Sequence, residues 1–147
     1  PLLEMSSNAA SSSNEVPGSN SERPWTTNEV LVLTRCWLSV KDGEPLLAPP
    51  HCLIGDEWSR ITSLFNHEMG EGQKREKSDV VTKWTDVKEE VTWFNRACSY
   101  AKRNNVRYRD EEEFLEVVTE FYICEHDGRD FEYEEVWKVV RDKQYFK

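Results

Sequence analysis

A chain of 147 residues that is 37% hydrophobic and 32% charged is long enough for one packed domain plus a tail. Its net charge of −9 argues against a nucleic-acid binder with a generally basic surface, because phosphate must be met by cations. No run of about 18 apolar residues occurs, so no membrane-spanning helix is expected, and no secretory leader is visible.

The acidic excess is uneven. Residues 1–22 carry −3, residues 23–102 carry −1 and residues 103–147 carry −5, so a basic face, if there is one, must be local. The chain opens on Pro1, and PLLEM reads as an appended or truncated start. The rest of residues 1–22 is rich in Ser and Asn and nearly free of core-forming side chains. Such a segment cannot bury enough to offset chain entropy, and a disordered tail is expected, with the folded domain over residues 23–147.

The folded part begins at RPWTTNEVLVLTRCWLSV. Thr26 or Thr27 can cap a helix with Glu29 in its first turn, and Val30, Leu33, Trp37 and Leu38 follow at helical spacing. This helix is expected to end near Val40, before the Asp-Gly and three prolines of KDGEPLLAPP, which read as a loop. The second helix is GDEWSRITSLFNHEM, with Asp56 as N-cap, Trp58, Ile61 and Phe65 as its apolar face, and GEGQ as its breaker. The third begins near Ser78. Val80, Trp84, Val87, Val91, Phe94, Cys98 and Ala101 recur at alternating steps of four and three, a pattern about 25 residues long. A helix of that length needs a partner for its second half. RDEEEFLEVVTEFYICEHDG supplies one, with acids in its first turn and Phe114, Val117, Val118, Phe121 and Tyr122 as its inner face. A short last helix follows in FEYEEVWKVVRDKQYF, with Phe131, Val136, Trp137 and Val140 inward. No alternating strand pattern competes, so the expected fold is all-α with five helices.

Cys36, Cys52, Cys98 and Cys124 form no CxxC and no zinc spacing, and His51 beside Cys52 is the only Cys/His doublet. Mostly buried free thiols, no metal and a reducing compartment are expected. No Gly-rich phosphate loop after a strand, no nucleophile elbow and no HExxH occurs, so neither an enzyme nor a cofactor is expected.

PWTTNEVLVLTRCWLSV, GDEWSRITSLFN, KSDVVTKWTDVKEEVTWFNRACSY and the closing FEYEEVWKVVRDKQYFK, in that order, resemble the Myb/SANT-like proteins encoded beside Harbinger-type (PIF/Pong) transposases. The resemblance covers about residues 24–147. It implies a three-helix helix-turn-helix with a core triad of Trp25, Trp58 and Trp84, a long third helix entering the major groove, and two further helices packed on it. It implies a nuclear protein of transposon origin that binds duplex DNA and assists a transposase. The residues expected to meet DNA are Lys74, Arg75 and Lys77 ahead of the third helix, and Thr82, Lys83 and Lys88 on it.

The same helix carries Asp79, Asp86, Glu89 and Glu90, and carboxylates repel phosphate. SANT modules include acidic members that bind partner proteins. The alternative reading is therefore an interaction module for a basic partner, such as a histone tail or a transposase. KRNNVRYR, with Lys102, Arg103, Arg107 and Arg109, reads as a solvated loop at a helix C-terminus or as a second contact surface.

Overall fold

The computed structural model describes residues 23–43, 49–104 and 107–147. The expected tail over residues 1–22, part of the Pro-rich loop (44–48) and the middle of KRNNVRYR (105–106) lie outside the described residues. Five α-helices follow in order: α1 Thr27–Asp42, α2 Glu57–Met69, α3 Lys77–Arg103, α4 Glu111–Glu125 and α5 Glu134–Val140. Among the described residues there is no strand, and the protein is all-α.

The helix starts follow from local chemistry. Thr26 accepts from the Glu29 amide at 3.1 Å while the Glu29 carboxylate accepts from the Thr26 amide at 3.1 Å, a reciprocal capping box. α1 runs past Val40 and stops where Gly43 takes a left-handed φ of +66°, its N–H reaching the carbonyls of Ser39 and Val40. Asp56 caps α2 through the Ser59 amide at 2.8 Å, and Asp110 caps α4 through the Glu113 amide at 2.9 Å. Pro50–Leu53, expected as plain loop, makes a short 3-10 turn that buries Cys52.

α3 is the spine. Its stripe from Val80 to Ala101 is buried along the whole length, and the helix touches α1, α2, α4 and α5. One continuous core runs from Val30 on α1 to Phe146 near the C-terminus. The C-terminal segment does more than cover the second half of α3. Beyond α5, a 3-10 turn at Gln144–Phe146 inserts Phe146 against Trp37, at 5.9 Å between ring centres, and against Trp84, at 6.3 Å. Tyr145 and Lys143 both bond Asp42 at the end of α1, at 2.8 and 3.0 Å. Asn95 of α3 ties the same region from below. Its amide donates to the Phe146 carbonyl at 3.0 Å, and its oxygen accepts from the Trp137 indole at 2.9 Å.

Two expectations about the core need correction. Trp84 is buried, but its ring partners are Trp37 and Phe146; Trp25 and Trp58 are only half-buried, so three indoles do not share one centre. Trp25 instead meets the Phe65 ring at a tilt of 36°, 5.4 Å between ring centres. On α4 the buried residues are Phe114, Leu115, Val118 and Tyr122, while Val117 and Phe121 are exposed. The helix rests on one neighbour along a narrow line, so the broad stripe read from its sequence is only partly covered.

Candidate functional site

The segment ahead of α3 was expected to present cations to phosphate, and its central cation is turned inward. Arg75 is 3% exposed. Its guanidinium donates to Glu29 Oε2 at 3.0 Å and to Oε1 at 3.1 Å, and to the carbonyls of Arg23 and Pro24 at 2.8 and 3.1 Å. Its plane lies 4.4 Å from the centre of the Trp25 ring. Its own amide and carbonyl are held by the Asn66 side chain at 2.8 and 3.0 Å. A guanidinium offers five donors in a rigid fork, and here the fork joins the chain before α1 and the start of α1 to the loop into α3, while Asn66 ties that loop's backbone to α2. Burial alone pushes the Glu29 carboxyl up. Hydrogen bonds from Arg75, the Thr26 amide and Arg23 outweigh it and hold Glu29 below the usual carboxylate range. Arg75 is a structural clasp rather than a phosphate contact.

The other expected contacts divide. Lys83 was expected to face outward, but Tyr133, at the N-cap of α5, covers it. Its ammonium donates to the Tyr133 hydroxyl at 3.1 Å and lies 5.5 Å from that ring's centre. Lys88 is half-buried with its ammonium 5.2 Å from the centre of the Trp37 ring. Lys77 is exposed but bridges to Asp56 at 3.3 Å and to Ser59 at 3.2 Å. Lys74 is exposed and pairs with Glu71 at 3.3 Å, and Thr82 is exposed. On the acidic side, Asp86 and Glu89 are exposed one turn apart. Asp79 is half-buried, with one carboxylate oxygen shielded and without a hydrogen-bond partner. Glu90 accepts from the Tyr122 hydroxyl and from Arg129, the latter at 2.9 Å. Burial and the Glu90 hydrogen bond together push the Tyr122 phenol up, so it stays a donor to that carboxylate.

The fold gathers two surface features on the second half of α3, the first of which takes in Lys102 and Arg103 of the KRNNVRYR stretch. A basic concavity of about 780 Å³ gathers Arg96, Lys102, Arg103, Arg141 and Lys147, with Glu111 and Asp142 as its acids. Beside it, an apolar groove of about 450 Å³ runs between α3 and α4 over Trp93, Ala97, Tyr100, Val117 and Phe121, with Arg96 and Arg103 on its rim. The periodic pattern marked Val117 and Phe121 as apolar, but no local signal showed that they stay exposed among the described residues.

Cys36, Cys52 and Cys98 are buried and Cys124 is exposed. Burial pushes the Cys36 and Cys98 thiols up to about 12, which keeps them protonated and unreactive. Cys52 points its sulfur at the Ser63 carbonyl at 3.6 Å, while His51 is exposed. Among the described residues no three His, Cys, Asp or Glu side chains gather as a metal site, and no helix is long and apolar enough to cross a membrane.

No family model, no curated protein and no solved structure matches the chain.

Proposed function

We propose that the chain is a non-catalytic, SANT-like interaction module that holds a basic segment of a partner, a chromatin protein or a transposase in the nucleus, against the outward face of the first half of α3. The observation that carries this reading is the burial of Arg75 on Glu29. It removes the strongest phosphate ligand from the face expected to meet DNA. Lys77, Lys83 and Lys88 are engaged by Asp56, Tyr133 and Trp37, whereas Asp86 and Glu89 stand in solvent. At a net charge of −9, such a face attracts a cationic segment and repels a duplex backbone.

Duplex DNA remains a second reading for one reason, the basic concavity around Lys102 and Arg103 at the far end of α3. Titration with a Lys-rich tail peptide and with random-sequence duplex, both at about 50 mM salt where ionic contacts are strong, separates the two. The interaction reading expects salt-sensitive peptide binding that Asp86→Asn with Glu89→Gln weakens, and little duplex binding. Duplex binding that Lys102→Ala and Arg103→Ala weaken, with a log–log salt slope flatter by about 0.9 for each lost phosphate contact, would replace it.

A further inference from the structure

The groove between α3 and α4 leaves large apolar side chains in water. Tyr100 is 56% exposed and Phe121 54%, and they sit across the groove from each other on the two helices that line it. Contiguous apolar surface on a highly charged chain marks a place where something docks. The rim states what charge the occupant carries. Arg96 and Arg103 stand exposed on the α3 side, and among the described residues neither makes an ion pair. An occupant therefore needs apolar side chains flanked by carboxylates.

α4 has that composition. Val117 and Phe121 are four residues apart and exposed, with Glu116 and Glu120 next to them in sequence and also exposed. No Lys or Arg lies on α4. Glu116 and Glu120 make no ion pair among the described residues, whereas the acids at the start of the same helix do: Glu111 pairs with Arg141 at 2.8 Å and Glu113 with Arg109 at 3.1 Å. The groove thus has unpaired cations on its α3 side, and unpaired carboxylates follow on the exposed face of α4 next to the apolar residues of its other side. A surface carrying both halves of a complementary pair is suited to an isologous, two-fold contact.

We propose that this groove is the seam of a homodimer, in which α4 of each copy lies over α3 of the other. A two-fold axis along the groove produces that arrangement. Phe121 and Val117 of one copy meet Trp93, Ala97 and Tyr100 of its partner, and Glu116 and Glu120 face Arg96 and Arg103, each contact occurring twice. The seam is independent of the acidic face around Asp86 and Glu89, so the dimer and the partner-binding reading stand or fall separately.

Sedimentation equilibrium of the full chain, from roughly 1 to 200 µM, suits a seam at the small end of specific interfaces. The expected result is a rise in mass from 17.3 kDa toward twice that value, weakened by salt. Phe121→Asp should raise the dimer dissociation constant at least about tenfold, as loss of a central aromatic anchor does. The charge-swap pair is the sharper arm. R96E/R103E leaves the seam acidic on both sides, and E116R/E120R leaves it basic on both sides. Each should be monomeric alone, with a melting temperature near that of the unaltered chain, and a 1:1 mixture of the two should form a heterodimer. A chain that stays monomeric over the whole range overturns the proposal. So does a dimer indifferent to Phe121→Asp, or a mixture that fails to pair. A monomer that takes up a synthetic Glu-rich helix with Val and Phe four residues apart also overturns it, and assigns the groove to a foreign acidic helix.

Discussion

Residues 77–90 and residues 91–103 belong to one helix with one continuous buried stripe, yet their outward faces differ in kind. Over the first half, the remaining fold reaches around: Glu29 holds the preceding Arg75, Tyr133 covers Lys83, Trp37 lies under Lys88, and Asp56 takes Lys77. Over the second half, α4 and α5 pack along one side only and leave a groove and a basic concavity open. Arg75, Lys83 and Lys88 are held by the fold, whereas Arg96 and Arg103 on the second half are available, with Lys102 between them 5.4 Å from the centre of the Phe114 ring. A residue's charge says what it can bind; the neighbours that fold against it decide whether it does.

The comparison breaks most decisively if the second half does not need its cover. Truncation after Asn105 removes α4, α5 and the closing turn, and exposes Val91, Phe94 and Cys98, which are otherwise buried. The shortened chain is expected to lose cooperative unfolding and to associate, read by urea titration and light scattering. A shortened chain that stays monomeric and equally stable would show that residues 106–147 are an appendage.

Trp84 tests whether the two halves share one core. Trp84→Ala should cost about 3–5 kcal/mol in urea unfolding, the range for deleting a large buried aromatic. Its indole N–H has no hydrogen-bond partner, so Trp84→Phe sacrifices volume but no hydrogen bond and should cost clearly less.

Arg75 sharpens the distinction between structural and available cations. Arg75→Met leaves Glu29 buried with only Arg23 and the Thr26 amide to hold its charge, and should cost about 3 kcal/mol, the low end for breaking a buried pair. A surface phosphate ligand would cost almost nothing. The pair also sets an acid limit. Because Glu29 is held below its ordinary value of 4.5, its contribution is complete above that value and is lost as pH falls through the depressed one. Glu29→Gln should flatten the acid limb of the stability-against-pH curve, measured between neutral pH and the acid transition.

Asn95 is the corresponding polar node of the second half. Asn95→Ala strips partners from the Trp137 indole and the Phe146 carbonyl, and should cost about 1–3 kcal/mol for the groups left unpaired. The smallest effect belongs to Lys83→Met. Its bond to Tyr133 is part-buried and the methionine keeps much of the aliphatic stem, so a loss of about 1 kcal/mol or less is expected. A larger effect on duplex affinity than on stability would return Lys83 to the DNA-facing set.

Periodicity and capping chemistry determined the helices from the sequence alone. The cap at Thr26 or Thr27 with Glu29 in the first turn, the Asp56 cap, the first-turn acids of α4 and the Val80-to-Ala101 stripe depend on neighbours three or four positions away, and that information is local. The all-helical class followed from the same signals. Which side chains were free was decided only by the tertiary structure. Arg75 meets Glu29 across 46 positions, and Lys83 meets Tyr133 across 50. Phe146 packs against both Trp37 and Trp84, which touch each other, where the family resemblance implied Trp25 and Trp58 as the partners of Trp84. Val117 and Phe121 carry the same apolar signal as the buried Val118 and Tyr122. An apolar residue states a preference for burial, but whether a surface arrives to satisfy it depends on where the rest of the chain packs.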